Sequence, residues 1–180
     1  MANTAPNGYK WCHLDRSKAR GGGVALLYNN EIKCTEKSKS EDSDIEFLWC
    51  VLTVALKTVH YVVVYRPPSG SHSHFRKKFS TLLEDIEAYN SDIIITGDFN
   101  IHMDNLCNLD TQKFNQLLSD FGLESNVNGL THIGGHTLDL VISRQESGLV
   151  KKVQTDDIVS DHLMLCFTMS LHSTATVKNS

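Results

Sequence analysis

The chain has 180 residues, of which 41% are hydrophobic and 21% charged. That balance excludes a disordered or collagen-like polymer and suits a single globular domain able to bury a core without staples. With 17 basic and 21 acidic residues, the formal charge is −4 and the pI near 6.1, which excludes nucleic-acid binding driven by net charge alone.

Five cysteines are scattered at Cys12, Cys34, Cys50, Cys107 and Cys166, with no Cys-x-x-Cys pair to hold a structural zinc and no spacing of a disulfide scaffold. Cys50 and Cys166 lie in apolar runs and read as small hydrophobes. A reducing compartment is expected, with no disulfide-linked partner. Met1–Trp11 carries no signal-like apolar stretch, and Phe47–Leu56 is about half the ~20 residues that span a bilayer. The expectation is an intracellular, non-secreted protein of nucleus or cytoplasm, without a membrane partner. Oligomeric state is not legible in the sequence.

In chain order, residues 1–20 read as an irregular opening segment. Gly21-Gly22-Gly23 then leads into a strand at Val24–Tyr28, with Ile32–Glu36 as its expected hairpin partner and Lys37–Asp44 as a loop. Phe47–Leu56 and Val59–Arg66 are strong β-branched strands joined by Lys57-Thr58, an antiparallel hairpin stopped by Pro67-Pro68-Ser69-Gly70. Helical spacing of Phe75, Phe79, Leu82, Leu83 and Ile86 predicts a helix over His72–Tyr89, capped by Ser71 or Ser73. Asp92–Gly97 is apolar on both faces and reads as a central strand. A second helix is predicted over Thr111–Phe121. Short strands follow near Leu123–Val127, Leu130–Ile133, Thr137–Ser143, Leu149–Gln154 and His162–Leu171, before a polar tail. Many strands with two helices predict an α/β fold of packed sheets with outer helices.

Four segments carry candidate chemistry. Gly97-Asp98-Phe99-Asn100 ends the central strand and sets a carboxylate and an amide side by side, or simply forms a turn. Ser160-Asp161-His162 puts a proton-transfer residue at a strand start, but adjacent side chains on opposite faces cannot form a serine-hydrolase triad. Asp139 is a mid-strand carboxylate among apolar neighbours and needs a partner, for which His162 is the natural candidate. Tyr65 ends a buried strand before a proline loop, where its hydroxyl could meet a phosphate or be an ordinary amphipathic aromatic. Arg76-Lys77-Lys78 reads as a solvated helix face, and Arg16, Lys18 and Arg20 as an exposed basic loop. His102, Cys107, His132 and His136 match no common zinc spacing.

Taken in order, Arg20-Gly21-Gly22-Gly23-Val24-Ala25, Tyr65-Arg66-Pro67-Pro68-Ser69, Gly97-Asp98-Phe99-Asn100-Ile101-His102, His136-Thr137-Leu138-Asp139-Leu140-Val141-Ile142 and Ser160-Asp161-His162 resemble the endonuclease/exonuclease/phosphatase superfamily. The wording is closest to the endonuclease domain of non-LTR (LINE-type) retrotransposons. The resemblance runs from about Gly8 to Leu171.

It implies a four-layer αββα sandwich over 21–171 with a disordered tail at 172–180, and phosphodiester hydrolysis with Mg2+ or Mn2+, with DNA as partner. It implies that Asp98 orients or deprotonates the attacking water and that Asn100 holds that water or a phosphate oxygen. His162, fixed by Asp139, meets the phosphate, Tyr65 donates to a phosphate oxygen, and Asp161 lies beside the metal. The superfamily pattern also opens with a strand–Asn and a strand–Glu upstream of the glycine run, for which residues 1–20 offer no counterpart. The expectation is therefore a domain lacking its first strands, with metal binding weak or absent. Two readings stay open: a metal-dependent endonuclease of retrotransposon origin, or a catalytically inactive remnant or binding module.

Overall fold

A computed structural model describes residues 5–16, 23–54, 57–145 and 147–170. The expectations for Lys18, Arg20, Gly21, Gly22 and the tail from Ser173 lie outside the described residues. The elements are β1 (Tyr9–Asp15), β2 (Gly23–Asn29), β3 (Lys33–Glu41), β4 (Glu46–Val54), β5 (Lys57–Tyr65), α1 (His72–Glu87), β6 (Asp92–Asp98), α2 (Leu109–Asp120), β7 (Leu123–Ser125), β8 (Asp139–Arg144), β9 (Val150–Val159) and β10 (His162–Met169).

Six strands form one mixed sheet in the order β3-β4-β5-β6-β8-β7, with β5 and β6 parallel. Alternation along these strands sorts two apolar faces. Val62, Val64, Ile93, Ile95, Leu140 and Ile142 face α1 and α2, where Phe75, Phe79, Phe99 and Phe114 pack ring against ring in the main core. The opposite face carries Leu48, Cys50 and Leu52 under the β1–β2 hairpin, and Val59, Ile94 and Val141 under the β9–β10 hairpin. The α/β architecture of packed sheets with outer helices is thus present. Both helices lie on one side of the six-stranded sheet and the two hairpins on the other. No described helix is long and apolar enough to cross a membrane.

Three local expectations are corrected. Tyr9–Asp15, read as irregular, is a strand paired with β2, so Ile32–Glu36 is not the partner of Val24–Tyr28. Its place is in β3, which continues through most of the expected loop to Glu41 and pairs with β4. Asn29 and Asn30 do mark a turn, but the chain leaving it crosses to the other layer, where β4 offers a longer apolar partner. Leu130–Ile133 is not a regular strand and makes only single bridges, from His132 to His136 and to His162.

The helix ends follow their caps. Ser71 accepts from the His74 N–H, and Asn108 accepts from the N–H groups of Asp110 and Thr111, starting α2 two residues earlier than expected. The basic run at the start of α1 is partly tied down: Arg76 pairs with Asp110 at 2.7 Å and Lys78 with Asp42.

Candidate active site

Strand register aligns four polar residues in one row. Glu46 lies opposite Tyr65, Tyr65 opposite Asp98, and Asp98 opposite Asp139. Directly opposed residues share a face, so all four project toward the hairpin layer at one end of the sheet. The β10 start delivers His162 to this row, and its Nδ1 lies 2.7 Å from Asp139 Oδ2. A carboxylate can only accept, so the imidazole donates through Nδ1 and keeps Nε2 for another group. The Asp139–His162 couple expected from the sequence is therefore formed.

Asp98 and Asn100 also meet, by a different route from strand alternation. Asn100 has φ +48°, and its backbone N–H and side-chain amide donate to the two Asp98 oxygens at 2.9 and 2.8 Å. Phe99 between them is fully buried in the main core. Burial is the largest influence on Asp98 and, with the nearby Asp139 charge, raises its pKa above the usual carboxylate range against the Asn100 donors and His162. Burial opposes the His162 cation, but the Asp139 hydrogen bond and the charges of Asp139, Asp98 and Asp161 outweigh it and raise its pKa.

This raised value has a sign for stability. The contribution of the His162 cation is complete below the unfolded value, about 6.5, and is lost as pH rises through the folded-state value. An NMR titration of the ring protons is expected to place the His162 midpoint above 6.5, and Asp139→Asn is expected to bring it down. A wild-type midpoint at or below the free-histidine value would contradict the pairing.

Asp161 is exposed, takes a hydrogen bond from Ser160 Oγ at 3.0 Å, and faces His132 Nε2 at 3.5 Å. Ser160 serves Asp161 and does not form a triad. The ligand atoms of His132, Asp161 and His162 lie within 4.8 Å of one another. Three carboxylates, from Asp98, Asp139 and Asp161, act on the single imidazole of His162. Asp161 is the exposed carboxylate of that group, and its oxygens are the hard donors that could hold a divalent cation beside the phosphate.

Several contributors were not legible in the sequence. Arg66 is fully buried and donates to the carbonyls of Asn100 at 2.9 Å and Gly70 at 2.5 Å, tying the Asp98–Asn100 turn to the proline loop. Thr131 Oγ1 accepts from the N–H groups of Leu138 and Asp139. The Thr131 carbonyl accepts from Leu163 N–H, while Ile133 N–H donates to the Asp161 carbonyl. This short extended strip thereby fixes Asp139 relative to His162. His132 packs edge-on against His162, with ring centroids 4.9 Å apart. His136 instead lies beside Asp104, at 3.2 Å, and its ring sits against that of His102. The only sequence hint of the strip was the strand expected near Leu130–Ile133.

Tyr65 lies under Arg16, whose guanidinium sits 4.9 Å from the ring centroid and whose Nε donates to Glu46 at 2.7 Å. Arg16 was expected to be part of an exposed basic loop, but it is largely covered by this pairing. A cleft of about 540 Å³ opens between these residues and Pro67–Ser69. A larger cleft, about 640 Å³, lies elsewhere, between α1 and strands β3 and β4.

Comparison with known proteins bears on the fold and the family. The endonuclease-reverse transcriptase family matches residues 59–166, more than half of the chain. The endonuclease domain of TRAS1, a telomere-specific non-LTR retrotransposon, superposes with a TM-score of 0.72 at 13% identity, covering 91% of this chain and 79% of that one. The Neisseria 3′ phosphatase NExo, bound to product DNA hairpin, gives 0.60 at 16% identity, covering 91% and 80%. The human nocturnin catalytic domain with bound sulfate gives 0.61 at 16%, covering 89% and 73%. At these identities the likeness is one of fold. No curated protein sequence matches the chain. The chain belongs to the endonuclease-reverse transcriptase family, within the endonuclease/exonuclease/phosphatase superfamily.

Proposed function

We propose that this chain hydrolyses phosphodiester bonds in DNA with the help of a divalent cation, as an endonuclease of the retrotransposon type. The observation that carries the reading is the convergence of Asp98, Asn100, Asp139 and His162 at one end of one sheet, where His162 Nδ1 bonds Asp139 at 2.7 Å and Nε2 has no hydrogen-bond partner among the described residues. Family membership supports it, as do two relatives of the same fold, one a retrotransposon endonuclease and one holding a DNA product.

Each residue then has a task suited to its surroundings. Asp98 accepts a proton from the attacking water, and burial, by raising its pKa, makes it a stronger base. Asn100 is held by Asp98 and by the Arg66 carbonyl at 2.8 Å, and fixes the approach of the water or a phosphate oxygen. His162 donates from Nε2 to the phosphoryl oxygen as negative charge develops, and Asp139 keeps the ring oriented and cationic. Tyr65 gives a further donor to the phosphate. Bound Mg2+ or Mn2+ held beside Asp161 would neutralise charge on the phosphoryl oxygens and on the attacking water. A cation also reconciles an acidic chain with a polyanionic substrate.

The test is nicking of supercoiled plasmid by the purified chain. Open circles are expected with Mg2+ or Mn2+ and none with excess EDTA, with activity restored on adding the metal back. Plasmid left intact at every metal concentration would overturn the proposal in favour of an inactive remnant. Nicking that persists in EDTA would remove the cation from it.

A further inference from the structure

The sequence spacing of the cysteines gives no metal motif, yet folding gathers three of them. Cys12 on β1, Cys34 on β3 and Cys50 on β4 come from three strands and both layers. Their sulfur atoms all lie within 4.8 Å of one another, with Cys12 and Cys34 at 3.9 Å. Around an ion with Zn–S bonds of about 2.3 Å, the sulfur–sulfur edge is about 3.8 Å for a tetrahedron and about 4.0 Å for a planar trigon. The Cys12–Cys34 pair already has this separation. All three are free thiols, with Cys50 fully buried and the other two half-buried.

A second observation concerns what faces them. Around the trio, Val24, Leu48 and Leu52 are apolar. The polar neighbour is Tyr28 on β2, whose pKa is raised by burial and by the nearby Cys34 and Cys12. Burial and the neighbouring Cys12 raise the Cys34 pKa to about 11, and burial raises Cys50 further. Without a cation Cys34 and Cys50 are therefore neutral and poorly nucleophilic, which argues against a catalytic or redox-sensing use of this pair.

We propose that Cys12, Cys34 and Cys50 form a three-thiolate site for a thiophilic d10 cation, zinc(II), that clamps the β1–β2 hairpin onto the six-stranded sheet. Binding breaks three S–H bonds and forms three Zn–S bonds: Zn2+ and three thiols give one zinc tris-thiolate of net charge −1 and about three protons released to solvent. The soft sulfur set is chemically distinct from the hard carboxylate of Asp161. Its consequence for that site is mechanical. The hairpin leads directly into Arg16, which stands on Tyr65 and pairs with Glu46, so a clamped hairpin holds one wall of the cleft.

The experiment titrates the reduced full chain with Cd2+, following thiolate-to-cadmium charge-transfer absorption, and then displaces it with Zn2+. One ion per chain is expected, with about three protons released. Cys34→Ser is expected to weaken binding by about 100-fold, since even outer-shell changes cost ~10–100-fold. Joint replacement of Cys107 and Cys166 by Ser is expected to leave binding unchanged. Far-ultraviolet circular dichroism checks that the variants fold. As a measurement needing no variant, Zn2+ should raise the wild-type melting temperature. Absence of the charge-transfer band in folded wild type overturns the proposal, as does no rise in melting temperature. So does a band that survives Cys34→Ser, or one that is lost in His132→Ala.

Discussion

Replacing His162 by Ala is expected to reduce plasmid nicking by about 10²–10⁴-fold, the range for loss of a positioned acid–base group or a donor to developing negative charge. The effect is large because one ring serves two partners. Its Nδ1–H satisfies Asp139 at 2.7 Å, and Nε2 is the donor left for substrate. Removing the ring deletes the donor and leaves Asp139 beside Asp98 without its counter-charge, which raises the cost of keeping both carboxylates ionised. His162→Gln separates the two contributions, since it supplies a neutral donor without the cation. The expected order of rates is wild type, then Gln, then Ala, measured on protein whose circular dichroism and melting temperature show an intact fold. Equal rates for wild type and the Ala variant would exclude His162 from the chemistry.

The largest expected effect on stability is at Gly97, one residue before Asp98. Its φ is +143°, and a Cβ there would sit 1.8 Å from the Val64 carbonyl oxygen and 2.8 Å from its carbon. Both obstacles are backbone atoms of the neighbouring strand β5, in register with Gly97, so no rotamer change relieves them. Gly97→Ala must therefore push β6 away from β5 in the middle of the sheet or distort Asp98 out of its row. The expected cost is about 3–5 kcal/mol, a large share of the ~5–15 kcal/mol that stabilises a domain. For a chain of this size it corresponds to roughly a 10 °C fall in melting temperature. Thermal unfolding checks it, and a melting temperature within a degree of wild type would show that the two strands can move apart freely.

The two positions mark what was legible in the sequence. The Gly97–Asn100 turn, the Asp139 strand and the Asp161–His162 start are compact, so residue type and local alternation identify them, and the need of a mid-strand carboxylate for a partner points to His162. The central strands and both helices were also legible, because long apolar periodicities dominate their neighbourhoods. What escaped depends on pairing between distant strands. Nothing local in Tyr9–Asp15 announces a strand, since its alternation is diluted by lysine, histidine and aspartate, and its order comes from β2 and the core beneath it. Glu46 enters the site row only because β4 registers against Tyr65, and its Oε2 is buried without a hydrogen-bond partner among the described residues. Thr131 and His132 join the Asp139 and His162 strands through one side-chain hydroxyl and one isolated bridge, too short to leave a periodic signal. The cysteine trio likewise spans 38 positions of sequence, from Cys12 to Cys50, and exists only in three dimensions.

The most direct test of the account is Asp98→Asn, which keeps the size of the side chain while removing the carboxylate meant to take the proton from water. In supercoiled-plasmid nicking with Mg2+, at matched concentrations of wild-type and variant protein with the same melting profile, the account predicts clear nicking by wild type. It predicts a rate at least about 100-fold lower for the variant. Nicking at the wild-type rate by Asp98→Asn would contradict it.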